Sequence, residues 1–459
     1  MSKIQHGTKE NGLAVHLDHL PDDERIVGEI RKIVDAIAGF YGFEHMRISP
    51  VESVSSFAPL VRAGFLDERP PVWCRTREGD EILLCFSAAL GAVRAYFSHR
   101  MQALPHPLKM AIEADTFSLV SGKEVYRDYR YNSQDVETGE NIPSTVSRRE
   151  WALVIMGEEG LIAETGIIQV LWKTCAELGL THDAVELRIN ATGCNHCRTS
   201  YRSALNAYFR TRLARLCTKS KRDLKRMPTK ILVCRDERCR GLASGAPQIL
   251  DFLCERCKKQ LRSLLEFLDE ARIPYFLDAT LFREGSWLGE IVFVMVARQE
   301  EPEADEAGSE SRGARVPVLI AEGGRLSRAA QLLEGKDLAV TSGTLFLDSI
   351  ASEMQRMSEQ RIRVTDVFFV QLGELAKRKS FEILEVLREG GVEVKESLGR
   401  DSIKIQLKIA ERIGARYALV LGQKEALDGT IIVREVESSI QETVSQEKMV
   451  DFLKRKLKK

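Results

Sequence analysis

The chain has 459 residues, 44% hydrophobic and 29% charged, a globular composition with enough length for more than one core. Lys+Arg and Asp+Glu are equal at 67 each, so no whole-molecule field draws nucleic acid, and an RNA contact must come from a local patch. Met1–Leu20 is polar and lacks a signal-peptide core, and the longest apolar runs, such as Ile291–Ala297, fall far below the ~20 residues of a membrane span. A cytoplasmic protein with no membrane partner and reduced cysteines is therefore expected.

Asp22–Tyr41 carries apolar residues at helical spacing behind an acidic start that suits the helix dipole. Phe43–Pro50 and Glu81–Phe86 read as strands, and Ala92–Met101 as a helix. Lys109–Leu119 and Trp151–Met156 are further strands, and Leu161–Leu180 is a long amphipathic helix. Strands in succession without regular crossover helices predict an α+β core, a mainly antiparallel sheet with helices packed on it. From Cys194 to Glu270 the chain reads as helical, basic and rich in cysteine, and strand character returns at Pro274–Asp278 and Glu290–Ala297. Gln299–Gly313 is acidic and lacks apolar residues, so it reads as a disordered loop, with a ligand-ordered lid as the alternative. Beyond Ser358, strands at Val364–Leu372, Val392–Glu396, Tyr417–Leu421 and Thr430–Val436 alternate with helices at Lys377–Glu389, Ile403–Ile413 and Glu447–Lys458. That alternation predicts a parallel or mixed α/β sheet. The domains implied are a core fold at 1–186 and 271–358, a cysteine-rich helical insertion at 187–270, the acidic loop at 299–313 and an α/β domain at 359–459.

Three cysteine pairs stand out: Cys194-x2-Cys197, Cys234-x4-Cys239 and Cys254-x2-Cys257. Such spacing turns two thiolates toward one ion, and two pairs complete the tetrahedral S₄ set zinc prefers. Six paired cysteines exceed one site and fall short of two, with His196 or Cys217 able to supply a further ligand; the alternative is metal-free buried thiols. Cys74, Cys85 and Cys175 lie in apolar contexts and read as core. Arg198–Lys230 is a basic stripe, with Arg198, Arg202, Arg210, Arg212, Lys219, Lys221 and Arg222 as candidate RNA-binding residues. Tyr201, Tyr208 and Phe209, interleaved with them, would either stack on bases or serve as the core of an amphipathic helix.

Several stretches together suggest a family. Gly414–Leu453 (GARYALVLGQKEALDGTIIVREVESSIQETVSQEKMVDFL) closely resembles the end of the anticodon-binding domain of histidyl-tRNA synthetases. Leu187–Cys194, Cys197–Phe209 and Ala246–Asp278 are similar to that family's insertion and its return strand, and Gly91–His99 to the helix after its amino-acid-binding loop. The resemblance implies a class II antiparallel sheet, a helical insertion and a C-terminal α/β anticodon-binding-type domain. It also implies a dimer built across a first motif whose proline corresponds to Pro50. The activity it implies is joining histidine to tRNA through an adenylate.

Placed on the family's motifs, the chemistry is largely missing. The Arg-Pro-Glu-Gly-Thr loop reads Leu84-Cys85-Phe86-Ser87-Ala88-Ala89, with Ser87 where the family's glutamate grips the substrate ammonium. In the second motif Ser118 stands where an arginine belongs, with Glu113 and Asp115 adding negative charge nearby. In the third, Ser349 replaces the arginine of Leu-Glu-Arg. Of the histidine-specific stretch only Arg283 survives, within Arg283-Glu284-Gly285-Ser286-Trp287-Leu288, and the glycine-rich Glu322-Gly323-Gly324-Arg325-Leu326-Ser327 is partly lost. Arginines on a reacting phosphoryl group are worth roughly 10³–10⁵ in rate, so Arg283 alone would not offset two such losses. One cysteine pair of the family has become Cys217-Thr218-Lys219-Ser220.

These residues predict a histidyl-tRNA synthetase-like pseudoenzyme acting as a tRNA-binding or synthetase-associated regulatory paralogue, with structural zinc and without ATP or magnesium. Its partners would be tRNA and either a second copy or an active histidyl-tRNA synthetase. Two other readings stay open: a working histidine–tRNA ligase with a divergent site, and a regulatory subunit of ATP phosphoribosyltransferase. The C-terminal domain and the lost histidine pocket count against the last.

Overall fold

The computed structural model describes residues 19–66, 70–121, 143–234, 236–281, 286–298, 318–357, 365–397 and 402–457. The chain divides into two units, Met1–Gln355 and Arg356–Lys459.

The first unit opens with helix α1 (Pro21–Phe40), strands β1 (Glu44–Met46) and β2 (Val51–Ser53), helix α2 (Val54–Arg62), strands β3 (Trp73–Arg75) and β4 (Glu81–Leu84), and helix α3 (Ala88–Ser98). Strands β5 (Leu108–Ser121) and β6 (Pro143–Met156) follow, then α4 (Ile162–Glu177) and β7 (Val185–Gly193). Helices α5 (Asn195–Arg210), α6 (Thr218–Arg226), α7 (Glu237–Ala243) and α8 (Glu255–Glu270) make the insertion. Strands β8 (Phe276–Leu277), β9 (Gly289–Ala297) and β10 (Leu319–Arg325), helix α9 (Ser327–Glu334), strand β11 (Val340–Phe346) and helix α10 (Leu347–Met357) complete the unit.

Eight strands form one sheet in the order β1-β5-β6-β11-β10-β9-β7-β8. The six central strands are antiparallel, and β1 and β8 add in parallel at the two edges. Leu187–Gly193, expected within the insertion, instead pair with β9 as part of this sheet, so the insertion begins at Cys194. Side chains alternate across a strand, and β6 shows the consequence. Trp151, Leu153 and Ile155 enter a core with α1, α4 and α10, while Ala152, Val154 and Met156 enter a second core with α2, α3 and α9. Burial on both faces explains why Trp151–Met156 is an unbroken apolar run rather than an alternating one. A smaller antiparallel sheet, β2-β4-β3, sits before α3.

Alternation corrects one expectation. Ala111 packs in the first core and Ile112 in the second. Glu113 and Asp115 therefore point to the α1 side, where Glu113 forms an ion pair with Arg31. Thr116 and Ser118 point the opposite way, so the two acids do not crowd the Ser118 face.

The second unit holds β12 (Val367–Gln371), α11 (Glu374–Glu389), β13 (Val394–Glu396), α12 (Ile403–Arg412), β14 (Tyr417–Leu421), α13 (Gln423–Asp428), β15 (Thr430–Glu435), β16 (Gln441–Ser445) and α14 (Met449–Leu457). Its sheet runs β13-β12-β14-β15-β16, parallel across the first three strands and antiparallel thereafter. Val367 and Phe369 face one core, and Phe368 and Val370 the other. Among the described residues no helix is long and apolar enough to cross a membrane.

Candidate functional site

The second face of the large sheet carries the positions at which sequence reasoning looked for chemistry. The segment before α3 runs beside β5, with the Phe117 N–H donating to the Cys85 carbonyl at 2.7 Å, so the Ser87 and Ser118 segments are brought together. Ser87 caps α3, its hydroxyl accepting from the Leu90 N–H at 3.3 Å. Behind it lies Glu150 of β6, only 3% exposed. Its carboxylate accepts from the Ala88 N–H and from the Thr116 hydroxyl, both at 3.0 Å. The start of α3 thus carries an internal carboxylate. Cys85 is buried beside it, and burial, with the Glu150 charge adding, pushes its thiol up to about 12. Cys175 is likewise buried, but Cys74, expected in the core, is exposed.

Further along the same face a cavity of about 30 Å³ is lined by Phe65, Thr192, Trp287, Leu288, Val294 and Glu322, among others. At roughly 10–15 Å³ per water it admits about two waters, whereas ligand pockets run to roughly 300–1,000 Å³. Thr192 Oγ1 has no hydrogen-bond partner among the described residues. Phe346, the last residue of β11, is 2% exposed and packs with Leu281, Val292 and Val294, and the Arg148 guanidinium lies 5.3 Å from its ring centroid. Arg94 of α3 is bound to Glu52 at 2.6 Å. Arg325, in the glycine-rich stretch, is spent on Glu164, Nε to Oε1 at 2.7 Å, and on the carbonyls of Glu159 and Gly160. Ser349 lies half-buried in the first turn of α10, and the preceding Asp348 holds Arg149 of β6. Arg283 lies outside the described residues, as does the acidic loop 299–313.

Two guanidiniums do reach the margin of the cavity. Arg328 stacks over Phe65 with its guanidinium carbon 5.0 Å from the ring centroid. Arg198 lies against Gly289, and burial together with repulsion from Arg328 lowers its pKa.

The cysteines separate into two groups. Cys194, Cys197, Cys254 and Cys257 place their four sulfurs within 4.8 Å of one another, and Cys217, Cys234 and Cys239 form a second cluster by the same measure. A Zn–S bond of about 2.3 Å implies sulfurs about 3.8 Å apart around a tetrahedral ion, so the first group fits zinc. Its chemistry fits too. Hydrogen bonds, foremost from the Cys197 N–H, lower Cys194 to about 6, and the Cys254 N–H donates to Cys197 Sγ at 3.2 Å. Burial acts oppositely on Cys257, pushing it to about 12 in the absence of a cation. Gly193 is indispensable to this approach: its φ is +66°, and an added Cβ would sit 2.6 Å from Cys197 Cβ. Cys234 and Cys239 therefore do not join the other two pairs in one site. Cys217 joins them instead, while His196 is exposed and belongs to neither cluster.

Residues 366–456 match the anticodon binding domain family. A histidine–tRNA ligase of Dehalococcoides mccartyi is 25% identical over 443 residues, covering 96% of this chain and 98% of that one. Along almost its whole length the chain is thus similar to class II histidyl-tRNA synthetases. The fold agrees: the apo histidyl-tRNA synthetase of Staphylococcus aureus superposes with a TM-score of 0.67 at 22% identity, over 97% of this chain and 99% of that one. A Bacillus halodurans structure described as an ATP phosphoribosyltransferase regulatory subunit/histidyl-tRNA synthetase shares the fold at a TM-score of 0.57 and 13% identity, over 90% and 98% of the two chains.

Within this synthetase fold the insertion presents its charge differently from the sequence expectation. Tyr201 and Phe209 are buried in the insertion core, and the Tyr208 hydroxyl donates to the Leu242 carbonyl at 3.0 Å, so these rings are packing elements rather than a stacking platform. Arg212 lies over Tyr208 at 3.9 Å, and Arg202 donates to the Arg226 carbonyl at 2.8 Å. Lys219 is half-buried, while Arg210, Lys221 and Arg222 are exposed, as are Lys225 and Arg226. Glu150 and Phe346 are site residues that sequence reasoning missed, while Ser220, read there only as what remains of a changed cysteine pair, lies beside Cys217 and Cys239. Glu150 carried one signal, an acid ending a charged triplet immediately before the apolar run of β6.

Proposed function

We propose that this chain is a cytoplasmic, catalytically inactive paralogue of the histidyl-tRNA synthetases that binds tRNA or a true synthetase subunit. The observation that carries the reading is the small cavity, about 30 Å³ with Glu322 in its wall, together with a helix start whose Ala88 N–H is already taken by Glu150. An adenylate-forming site needs an ATP held with its charge neutralised, and guanidinium forks supply that best. Here serine stands at 118 and 349, and Arg94 and Arg325 are engaged with carboxylates. ATP–pyrophosphate exchange with histidine tests the reading. The expected result is no turnover above background, and turnover at an ordinary synthetase rate would end it.

The tRNA-binding half is supported by the anticodon-type unit and by the insertion, where eleven basic residues face a single acid, Asp223, across 198–230. The zinc assigned to Cys194, Cys197, Cys254 and Cys257 would organise the insertion rather than take part in chemistry. Dimerisation is part of the same proposal. Phe40 is 84% exposed and Val51, next to Pro50, is 43% exposed, which leaves apolar surface near the first-motif segment for a second copy or an active synthetase to cover.

One observation favours a second reading, a working ligase with a divergent site: Arg198 and Arg328 stand at the cavity margin. That reading requires the cavity to open around nucleotide. The exchange assay decides between the two.

A further inference from the structure

The insertion uses one device at the starts of its helices. Cys194, Cys217 and Cys254 each sit immediately before the first residue of α5, α6 and α8, and three residues on stand Cys197, Ser220 and Cys257. The cap residue and the third helical residue lie together at a helix start, where a cap side chain meets the third N–H. In α6 this is explicit, since the Ser220 N–H donates to Cys217 Sγ at 3.4 Å. Helix α7 places Cys239 at the same third position, with Cys234 shortly upstream.

The starts of α5 and α8 meet to give four sulfurs. The starts of α6 and α7 meet to give three sulfurs and one oxygen. Cys217 and Cys234 are 3.8 Å apart, and Ser220 Oγ lies 3.3 Å from Cys217 Sγ and 3.4 Å from Cys239 Sγ. Ser220 is 1% exposed, so its hydroxyl is committed to this cluster rather than to solvent. A backbone feature of the four-sulfur site recurs as well: the Cys217 N–H donates to Cys239 Sγ at 3.4 Å, as the Cys254 N–H does to Cys197 Sγ.

We propose that Cys217, Cys234, Cys239 and Ser220 form a second metal site, for a zinc-class divalent ion that is held more weakly and exchanges faster than the ion of the four-cysteine site. The inference rests on the zinc reading of the first site only as its reference. Three thiolates leave a bound divalent ion one net negative charge, against two for four thiolates. A neutral, hard hydroxyl is the poorest of the donors, and zinc prefers thiolate and imidazole. The Ser220 corner is therefore where water or an incoming thiol displaces a protein ligand, and it provides the route for exchange.

The full-length chain, purified in zinc and desalted, is assayed by elemental analysis and by timed transfer of zinc to a chromophoric chelator. The expected result is two zinc ions per chain released in two phases, with rates separated by at least about tenfold. Ser220→Cys should slow the fast phase by at least about tenfold and leave the slow one unchanged, and Cys239→Ala should abolish the fast phase alone. Cobalt(II) replacement gives a readout independent of rates: Ser220→Cys should intensify the sulfur-to-cobalt charge-transfer band by about one thiolate's share. One ion per chain, or a Ser220→Cys chain with both phases and the cobalt spectrum unchanged, would overturn the proposal. Cys257→Ala probes the reference site separately, because loss of the slow phase in that variant reports the four-cysteine site whatever happens at Ser220.

Discussion

Arg325 shows how a residue that survives from a motif changes employment. The glycine-rich stretch keeps its arginine, but Glu164, fully buried on α4, captures it. Burial works against the charge on Arg325, and the hydrogen bond and attraction of Glu164 outweigh it, so the guanidinium stays firmly charged. Breaking one side of such a pair strands the other charge in the interior. Arg325→Met should cost about 3 kcal/mol in urea unfolding, and pairing it with Glu164→Leu should recover much of that loss. Equal losses in the single and double variants would show that the arginine is held for packing. Gly323 and Gly324 in the same stretch are fixed by backbone approach. A Cβ at 323 would lie 2.4 Å from the Ser342 carbonyl oxygen, and one at 324 would lie 2.4 Å from the Ile291 carbonyl oxygen. Glycine there belongs to the tight sheet, so its presence in the sequence was no guide to a surviving ligand site.

Elements with one clear periodicity were readable from sequence. α1, α4, α11, α12 and the strands β5, β9, β12, β14 and β15 all lie where the apolar spacing put them, within a few residues. The misses have local causes. α2 contains Pro59, and β10 and β11 are broken by glycines and polar residues instead of forming an unbroken apolar run. Gly343 is needed because a Cβ there would meet Ile167 and Leu171 of α4 at 2.4 and 2.7 Å. No periodicity argument sees that helix coming. The insertion was legible as cysteine-rich and helical, but which pairs converge was not, because that depends on how the helix starts meet in space. Zinc at the four-cysteine site should be worth on the order of 10 kcal/mol to so small a helical module. Chelation should therefore lower the helical circular dichroism and expose amides of α5–α8 to exchange, with the amides of β12 and β14 unaffected. An insertion that keeps its protection without metal would exclude a structural ion.

Two units with separate cores imply that one unfolding free energy does not describe the whole chain. A fragment spanning 365–459 should melt cooperatively by itself and reproduce one of the transitions of the full protein; a fragment without a transition would show that the unit needs its neighbour. Charge also belongs to this scale. The molecule is neutral overall, so tRNA affinity, if carried by the insertion, should depend on salt as a local patch does. With about five phosphate contacts, binding should fall roughly 10²–10³-fold between 50 and 200 mM salt. Replacing Arg210, Lys221 and Arg222 with glutamate should flatten that slope, and a slope left unchanged would move the RNA site elsewhere.

The carboxylate behind α3 also bears on whether one substitution could supply the adenylate chemistry that the proposed reading denies this chain. Thr116 and Ser118 project from β5 on the same side, and Glu150 already bonds the first of them. An arginine placed at 118 would project on the face that carries that carboxylate, so Ser118→Arg should remain silent in pyrophosphate exchange. The order of repairs matters: the resident acid must leave first, yet its departure alone strips the Ala88 amide of its acceptor. Each single change is unfavourable by itself, so under the proposed reading the contact of Glu150 with Ala88 and Thr116 bars any one-step route to activity.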